Sequence, residues 1–441
     1  MRIGLIAMSG VRAWSEDLNR AGLTMPGIVE RSQVIASMPS LSLLTLAALT
    51  PPGIEVEYHE IRDLRREGSP PDRFDLVAIA SQSAQIHDAY SVADEYRARG
   101  VTVVLGGIHV TSLPEEALAH ADAVVVGEAE AVWPRLVGDF LNGRLERIYR
   151  PEGEFRLADA PLPRWDLLEV EKYNRLLVQT SRGCPHRCEF CASSILLTKT
   201  YKIKPVERVI EEVRAIKSIW RRPFIEFADD NSFASRPHGR AICEALAHEG
   251  VRWFTECDVS IADDPALLDG MRRAGCRQVL IGLESPRPEG LDRLEQRRNW
   301  KLRQVSRYEA AVHAIQSCGI TVNGCFILGL DGDTEETVDE IARFADRVGL
   351  YDVQITVLTP FPGTPLYERL LREGRIIEPG AWHKCTLFDV NFVPRNMSPE
   401  CLQRGLVSLA HRLYDEPVLA RRRERFFDGI RRAGLPSPFD N

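Results

Sequence analysis

Three of the chain's ten cysteines, Cys184, Cys188 and Cys191, fall within the eight positions "CPHRCEFC". No other two lie closer than seven residues apart. Thiolates crowded onto one loop point to metal. Structural zinc sites usually use two separated C-x2-C pairs, and no second pair exists here. A four-iron cluster is normally held by four cysteines, so three leave one iron open. An open position is what separates a catalytic metal from a structural one. The alternative is three unrelated buried cysteines, and the loop's place after a strand at a sheet rim speaks against it. The apolar run behind the loop reads as a strand.

A second group of candidates lies in the first third of the chain. Ser81-Gln82, Gly106-Gly107 with His109, and Gly127-Glu128 each follow an apolar run. Small residues at strand ends let backbone approach a large flat ligand or a phosphate. His109 taken alone reads equally as a turn residue.

These residues need elements to position them. Residues 1–150 alternate short apolar runs with helical patterns: "RIGLIAM", the helix "LSLLTLAAL", "IEVEYHEI", "DLVAIAS", the helix "AYSVADEYRARG", "VTVVLGG", then "AVVVGEAEAVWPRLVGDFL". This βαβ rhythm predicts a doubly wound parallel sheet, with ligands outside the carboxyl ends of its strands. Residues 151–173 carry three prolines and no period, and read as a linker. From 174 to 380 a second alternation runs through "LLVQTS", "FIEFAD", "RWFTE", "QVLIGLE", "VNGCFILGL" and "DVQITVL". Six strand–helix units predict a partial (β/α)6 barrel with its chemistry at the C-terminal rim. Residues 381–441 read as a helical region with a frayed, proline-rich tail.

Composition excludes several classes. The chain has 441 residues, is 44% hydrophobic and carries a formal charge of −7, which argues against nucleic acid as a main partner. The basic run Arg421–Arg425 reads as the solvated face of a helix. No stretch approaches the roughly 18 to 20 apolar residues of a membrane span. The N-terminus reads as a strand rather than a signal peptide, so a reducing, cytoplasmic setting is expected.

C-x3-C-x2-C with Phe190 before the last cysteine, placed after the first barrel strand, resembles the radical S-adenosylmethionine (SAM) superfamily. "FADDNSF" (227–233) is similar to the family's second-strand segment, "ADDPALLDGMRRAGCRQVLIGLES" (262–285) to its third-to-fourth-strand region, and "FILGLDGDTEET" and "TPFPGTPLYERL" to its fifth- and sixth-strand signatures. "GGIHVTSLPEE" and "VVVGEAEAVWPRL" resemble the cobalamin-binding domain that one subclass places before the barrel. The resemblance implies a four-iron four-sulfur cluster on Cys184, Cys188 and Cys191, with Phe190 beside it. It implies SAM held by Asp229 and Asp230 at its amino group, by Glu284 and Ser285 near its ribose, and by the Gly329 turn. The alternative for the two aspartates is N-capping of the following helix, and for Glu284 a solvated strand end. Cobalamin is the further implied cofactor, at Ser81, Gln82, Gly106, Gly107, His109, Gly127 and Glu128. The D-x-H-x-x-G ligand motif is absent, because His59, His87, His109 and His120 all lack a glycine three residues on. Cobalamin is then bound without a histidine ligand, or not at all.

Two chemistries follow from the resemblance. In one, methylcobalamin delivers a methyl group to a small-molecule substrate after hydrogen abstraction. In the other, the 3-amino-3-carboxypropyl group of SAM passes to a soft acceptor such as trivalent arsenic, held by Cys257 and Cys325 as catalytic thiols; each cysteine reads otherwise as a small hydrophobe. A non-catalytic cobalamin sensor is the third reading. An enzyme of this kind also implies an electron donor such as flavodoxin or ferredoxin.

Overall fold

The computed structural model describes residues 1–11, 13–14, 35–36, 38–70, 73–198, 200–435 and 437. Two six-stranded sheets organise it. The first is built from β1 (Arg2–Met8), β2 (Glu55–Ile61), β3 (Leu76–Ala80), β4 (Thr102–Gly106), β5 (Ala123–Val125) and β6 (Ile148–Tyr149). All its pairings are parallel, in the order β2-β1-β3-β4-β5-β6. Its central strands are apolar throughout rather than alternating, because helices cover both faces. Ile3 and Leu5 face one apolar cluster and Ile6 and Met8 the other. Edge strand β2, "EVEYHEI", keeps charged side chains half-exposed. Helices α1 (Leu41–Leu49), α2 (Ile86–Ala98), α3 (Ile108–Ser112) and α4 (Trp133–Leu141) complete the layers. The strand order reverses between β1 and β3, and such a switch point opens a crevice at the strand ends.

The second sheet contains β7 (Leu176–Val178), β8 (Phe224–Phe227), β9 (Arg252–Cys257), β10 (Cys276–Glu284), β11 (Thr321–Leu328) and β12 (Asp352–Val357), parallel and in sequence order. Its crossovers carry α5 (Val206–Ile219), α6 (Arg236–Leu246), α7 (Pro265–Arg273), α8 (Tyr308–Ser317) and α9 (Thr337–Val348). Each strand expected in this region is present. The largest apolar cluster lies between these strands and helices, with Trp253, Phe227 and Phe326 at most 1% exposed. Residues 151–173 fold as three short 3-10 turns, and the Arg164 amide donates to the Leu44 carbonyl at 3.1 Å.

Helices α10 (Pro365–Arg372), α11 (Pro399–Tyr414) and α12 (Glu416–Arg432) follow. Ser398 caps α11 and Pro399 opens it, the usual division of labour at a helix start. Most of the frayed tail expected after Leu435 lies outside the described residues.

Two local expectations are corrected. The run behind the cysteine loop is a π-helical turn, Ser193–Leu197, rather than a strand. It packs on α3 of the first domain. Arg422, expected on a solvated face, is 1% exposed and donates to the Leu413 carbonyl at 2.8 Å. Its neighbours Arg421 and Arg425 do face solvent, beside Asp346. Among the described residues no helix is long and apolar enough to cross a membrane.

Candidate functional site

At the carboxyl ends of the second sheet, the loop from Thr180 to Cys191 and the tips of β8 to β12 enclose a cavity of about 360 Å³. Cys184, Cys188 and Cys191 all line it, and all three are free thiols. Burial pushes them up, Cys184 to about 11, so each is a neutral thiol unless a cation displaces its proton. Phe190, Asp230 and Glu284 line the same cavity, as do Cys257 and Cys325. The two thiols stand on β9 and β11 with β10 between them, and burial raises both well above the usual thiol range.

The loop is held from below by the β8 tip. Asp229 accepts from the Thr180 amide at 2.8 Å, the Ser181 amide at 2.9 Å, the Ser232 hydroxyl at 2.8 Å and the Thr180 hydroxyl. Asp230 accepts from the Gly183 amide at 2.8 Å and from the Ser193 hydroxyl. Neither aspartate caps α6, whose N-cap is Ser235. Asn231 donates to Asp258 at 2.8 Å and points its amide at the Cys184 sulfur, 3.8 Å away. Asp258 also faces the His186 ring at 3.1 Å. Burial would raise its carboxyl, but hydrogen bonds from His186, Ser260 and Asn231 outweigh that and hold it well below the usual range.

On β10 the register slips between Gly282 and Glu284, and Glu284 adopts φ 63°. The slip turns Glu284 into the cavity, where it meets Lys301 at 2.8 Å. Lys301 also donates to the Gly282 carbonyl at 2.5 Å. A Cβ at Gly282 would stand 2.4 Å from the Glu284 carboxylate and 3.0 Å from the Lys301 amine, so a side chain there would push the pair aside.

At the first sheet's switch point a second cavity of about 270 Å³ is lined by Gly10, Gln85, His87, Arg62, Trp14 and His383, among others. The Ser9 hydroxyl and the Gln85 side-chain amide oxygen, just past β1 and β3, are buried without a hydrogen-bond partner among the described residues. Residues 381–389 cross between the two cavities, His383 on one wall and Leu387 on the other.

Family models for the radical SAM superfamily and the B12 binding domain match residues 178–345 and 70–137, and a domain of unknown function matches 364–440. The chain is 27% identical to bacteriochlorophyllide d C-12(1)-methyltransferase of Chlorobaculum tepidum, over 88% of this chain and 84% of that one. It is 30% identical to an uncharacterised methyltransferase of Pyrococcus horikoshii, over 71% of this chain and 73% of that one. The chain belongs to the radical SAM superfamily. Its first domain places it in the subclass with an N-terminal B12-binding domain. The fold agrees with that of the cobalamin- and cluster-bound methyltransferase TsrM from Kitasatospora setae (TM-score 0.62, 17% identity, 84% of this chain and 78% of that one). It also agrees with OxsB, a cobalamin-dependent radical SAM enzyme (TM-score 0.67, 14% identity, 97% of this chain and 70% of that one).

The residues fit the groups this family carries. Among the described residues no three His, Cys, Asp or Glu side chains converge on a single ion, whereas three thiols around one cavity suit the larger cube of a cluster. Two orphaned buried polar atoms at the switch point suit a ligand with hydrogen-bonding side groups, as a corrin has.

Several expected ligands of the radical SAM and B12 sites do other work. His109 is 0% exposed, its ring nitrogens 3.1 Å from Ser83 and 3.2 Å from Glu116. A ring with both nitrogens engaged cannot reach cobalt. Glu128 takes Lys202 at 2.7 Å and Arg182 at 2.8 Å, and ties the first domain to the cysteine loop. Asp229 spends both oxygens on the loop and has none for an amino group. Ser285 is 0% exposed and accepts from the Arg287 amide. Gly329 donates to Asp333 and does not line the cavity. Gly107 has φ 111°, and a Cβ there would lie 2.4 Å from the Ser81 carbonyl, so its smallness serves backbone packing. Gln82 is exposed, Ser81 donates to the Gln82 carbonyl, Gly106 accepts from the Ser81 amide, and Gly127 is held by Thr111.

Glu256 and Lys301 were not legible as site residues. Glu256 faces the cavity with no side-chain partner among the described residues. Burial, with Glu226 and Asp230 nearby, raises its carboxyl to about 8, so at neutral pH it is an acid rather than a carboxylate. A carboxyl whose folded pKa is raised stabilises the fold fully below its unfolded pKa, and that contribution fades as pH rises through 8. Glu256→Gln, neutral at every pH, should therefore gain on wild type by up to about 1.4 kcal/mol per pH unit between pH 6 and 8. Denaturant melts of the two proteins across that range measure it. Parallel curves would show that the carboxyl is already ionised.

Proposed function

We propose that this radical SAM enzyme is a cobalamin-dependent methyltransferase acting on a small molecule. The observation that carries the reading is the strap 381–389, which forms a wall of both the thiol cavity and the switch-point cavity. The residues that would hold the methyl carrier and those that would hold the cluster and SAM then lie on two sides of one short segment.

When bound, the cluster supplies the electron that opens a bond of SAM, and the corrin carries the methyl group. Cys184, Cys188 and Cys191 would hold the cluster. Asp229 and Asp230 fix the loop that presents those thiols, and Asn231 polarises the Cys184 sulfur. Glu284, set by the β10 slip and neutralised by Lys301, offers its remaining acceptor capacity to hydroxyls in the cavity. Phe190, Leu280, Ile327 and Phe361 provide apolar wall that excludes water. Glu256 holds a proton where a substrate oxygen or nitrogen could accept a hydrogen bond from it, beside Gln354 and Thr356. That set favours a largely apolar substrate with a single hydrogen-bonding handle. Cys257 and Cys325 stand on strands separated by β10, and the two relatives compared above are methyltransferases, so nothing favours the aminocarboxypropyl reading.

The test is the products of SAM. Protein reconstituted with iron, sulfide and cobalamin under anaerobic conditions, then reduced, should release S-adenosylhomocysteine as cobalamin is methylated and 5′-deoxyadenosine in slower abortive cleavage. 5′-Methylthioadenosine as the main product would overturn the proposal.

A further inference from the structure

The outer side of the cysteine loop is covered by residues 291–303, "LDRLEQRRNWKLR". The two segments run antiparallel: the Glu189 amide donates to the Leu294 carbonyl at 2.9 Å, the Gln296 amide to the Arg187 carbonyl at 3.0 Å, and Cys188 faces Glu295. Of the two acids in this stretch, Glu295 is turned inward and Asp292 stays exposed beside Arg293. Glu295 is 3% exposed and accepts from the amides of Arg297, Arg298 and Trp300 at 2.8–3.2 Å. Lys301 is likewise buried, against Glu284. Apart from Asp292, the charged side chains that remain outside are basic.

Arg293 has 93% of its side chain in solvent, with Asp292 3.9 Å away. Arg297, Arg298 and Arg303 are exposed, Arg187 is half-buried, and none of the four has an ion-pair partner among the described residues. Elsewhere the surface arginines are mostly paired, and the chain as a whole is at −7. Unpaired like charges gathered on an acidic protein repel one another, so this patch carries a cost that a partner of opposite charge removes.

At its inner edge Trp300 stacks on His186, ring centroids 4.1 Å apart and planes 27° apart. His186 stands two residues from both Cys184 and Cys188. The aromatic pair therefore leads from a half-exposed indole to the metal loop without crossing the cavity.

We infer that this face, centred on Trp300 and rimmed by Arg187, Arg293, Arg297 and Arg298, docks an acidic flavodoxin that reduces the cluster. The inference rests on the proposed function, which requires single electrons from outside the chain. A flavodoxin exposes the apolar edge of its flavin amid carboxylates, which matches an indole ringed by guanidinium groups. In the step itself the flavin hydroquinone anion gives up one electron and becomes the neutral semiquinone; no proton moves, and the cluster on the three cysteines gains the electron. Charges on a docking rim act chiefly on association rate and on salt dependence.

The experiment is direct binding of oxidised flavodoxin to the reconstituted protein, at 50 and 300 mM salt. Binding should weaken at least about tenfold in the Arg297→Glu/Arg298→Glu double variant, and less in the Gln/Gln version. It should also weaken with salt in wild type. SAM cleavage driven by dithionite, which needs no docking, should be the same in both variants as in wild type. Unchanged flavodoxin affinity in the Glu/Glu variant overturns the docking face. Tight, arginine-dependent binding of a ferredoxin with none of flavodoxin overturns the choice of partner. Wild type that binds flavodoxin here but cleaves no SAM with dithionite overturns the proposed function and leaves the docking face standing.

Discussion

Cys188→Ala is expected to lose the iron and all SAM cleavage while leaving the fold close to wild type. Cys188 is 7% exposed and lines the cavity, yet it belongs to none of the main apolar clusters, so its sulfur contributes little to packing. Changes to residues that merely support a metal ligand cost about 10–100-fold in affinity or activity; removing a ligand of a three-cysteine site should exceed that range. Iron per chain and absorbance near 400 nm after anaerobic reconstitution report the loss. Cys243→Ala is the control: that thiol is 2% exposed inside the barrel's apolar cluster, and should cost roughly 1 kcal/mol of stability with no loss of iron. Wild-type iron content in Cys188→Ala would remove the basis for assigning the loop to a cluster.

The second large effect is expected at a residue whose oxygens are engaged by the cysteine loop and by Ser232. Asp229 is 5% exposed and accepts four hydrogen bonds, from Thr180 twice, Ser181 and Ser232. Burial raises its carboxyl, and these four donors pull it back. Asp229→Ala orphans the two amides and the Thr180 hydroxyl, while Ser232 keeps the Thr255 hydroxyl as a partner; at about 1–3 kcal/mol for each orphaned donor, a loss of about 3 kcal/mol or more is expected. The cluster should become labile as well, because Thr180 and Ser181 begin the loop that carries Cys184. Asp229→Asn, which keeps one acceptor oxygen, should fall between. If Asp229→Ala instead stays stable and only its SAM affinity drops, the carboxylate faces SAM, as the sequence pattern suggested.

That contrast marks how far the sequence can be read. The strands were legible because apolar runs of four to nine residues separated by amphipathic helices admit few folds. The three cysteines were legible because little besides a metal loop crowds thiols at that spacing. Positions at strand ends were legible as positions, but not their partners. Asp229 and Asp230 look alike in "FADDNSF", yet one is buried among loop amides and the other lines the cavity. His109 stands in a glycine-rich turn that suits a ligand, and its engagement by Ser83 and Glu116 depends on a helix packing no local pattern encodes. Lys301 lies in a run of arginines, and only the β10 slip, 17 residues earlier at Glu284, makes it a partner. Glu256 sits beside Cys257 in "FTECD", and reading strand tips for unpaired carboxyls as well as thiols would have found it.

The strap between the two cavities has a consequence for the order in which the chain can mature. Trp382 and Cys385 complete an apolar cluster of the first domain with Ile86, Val110 and Leu118, and the Trp382 indole donates to Glu116 at 3.1 Å. The first domain's own strands end at Tyr149. More than two hundred residues must therefore leave the ribosome before the piece that seals the domain arrives, a wait of roughly ten to fifty seconds at ordinary synthesis rates. During that interval the nascent domain displays an open apolar face to chaperones, and the segment that closes it also walls the barrel cavity, so the two halves are finished in one event late in translation.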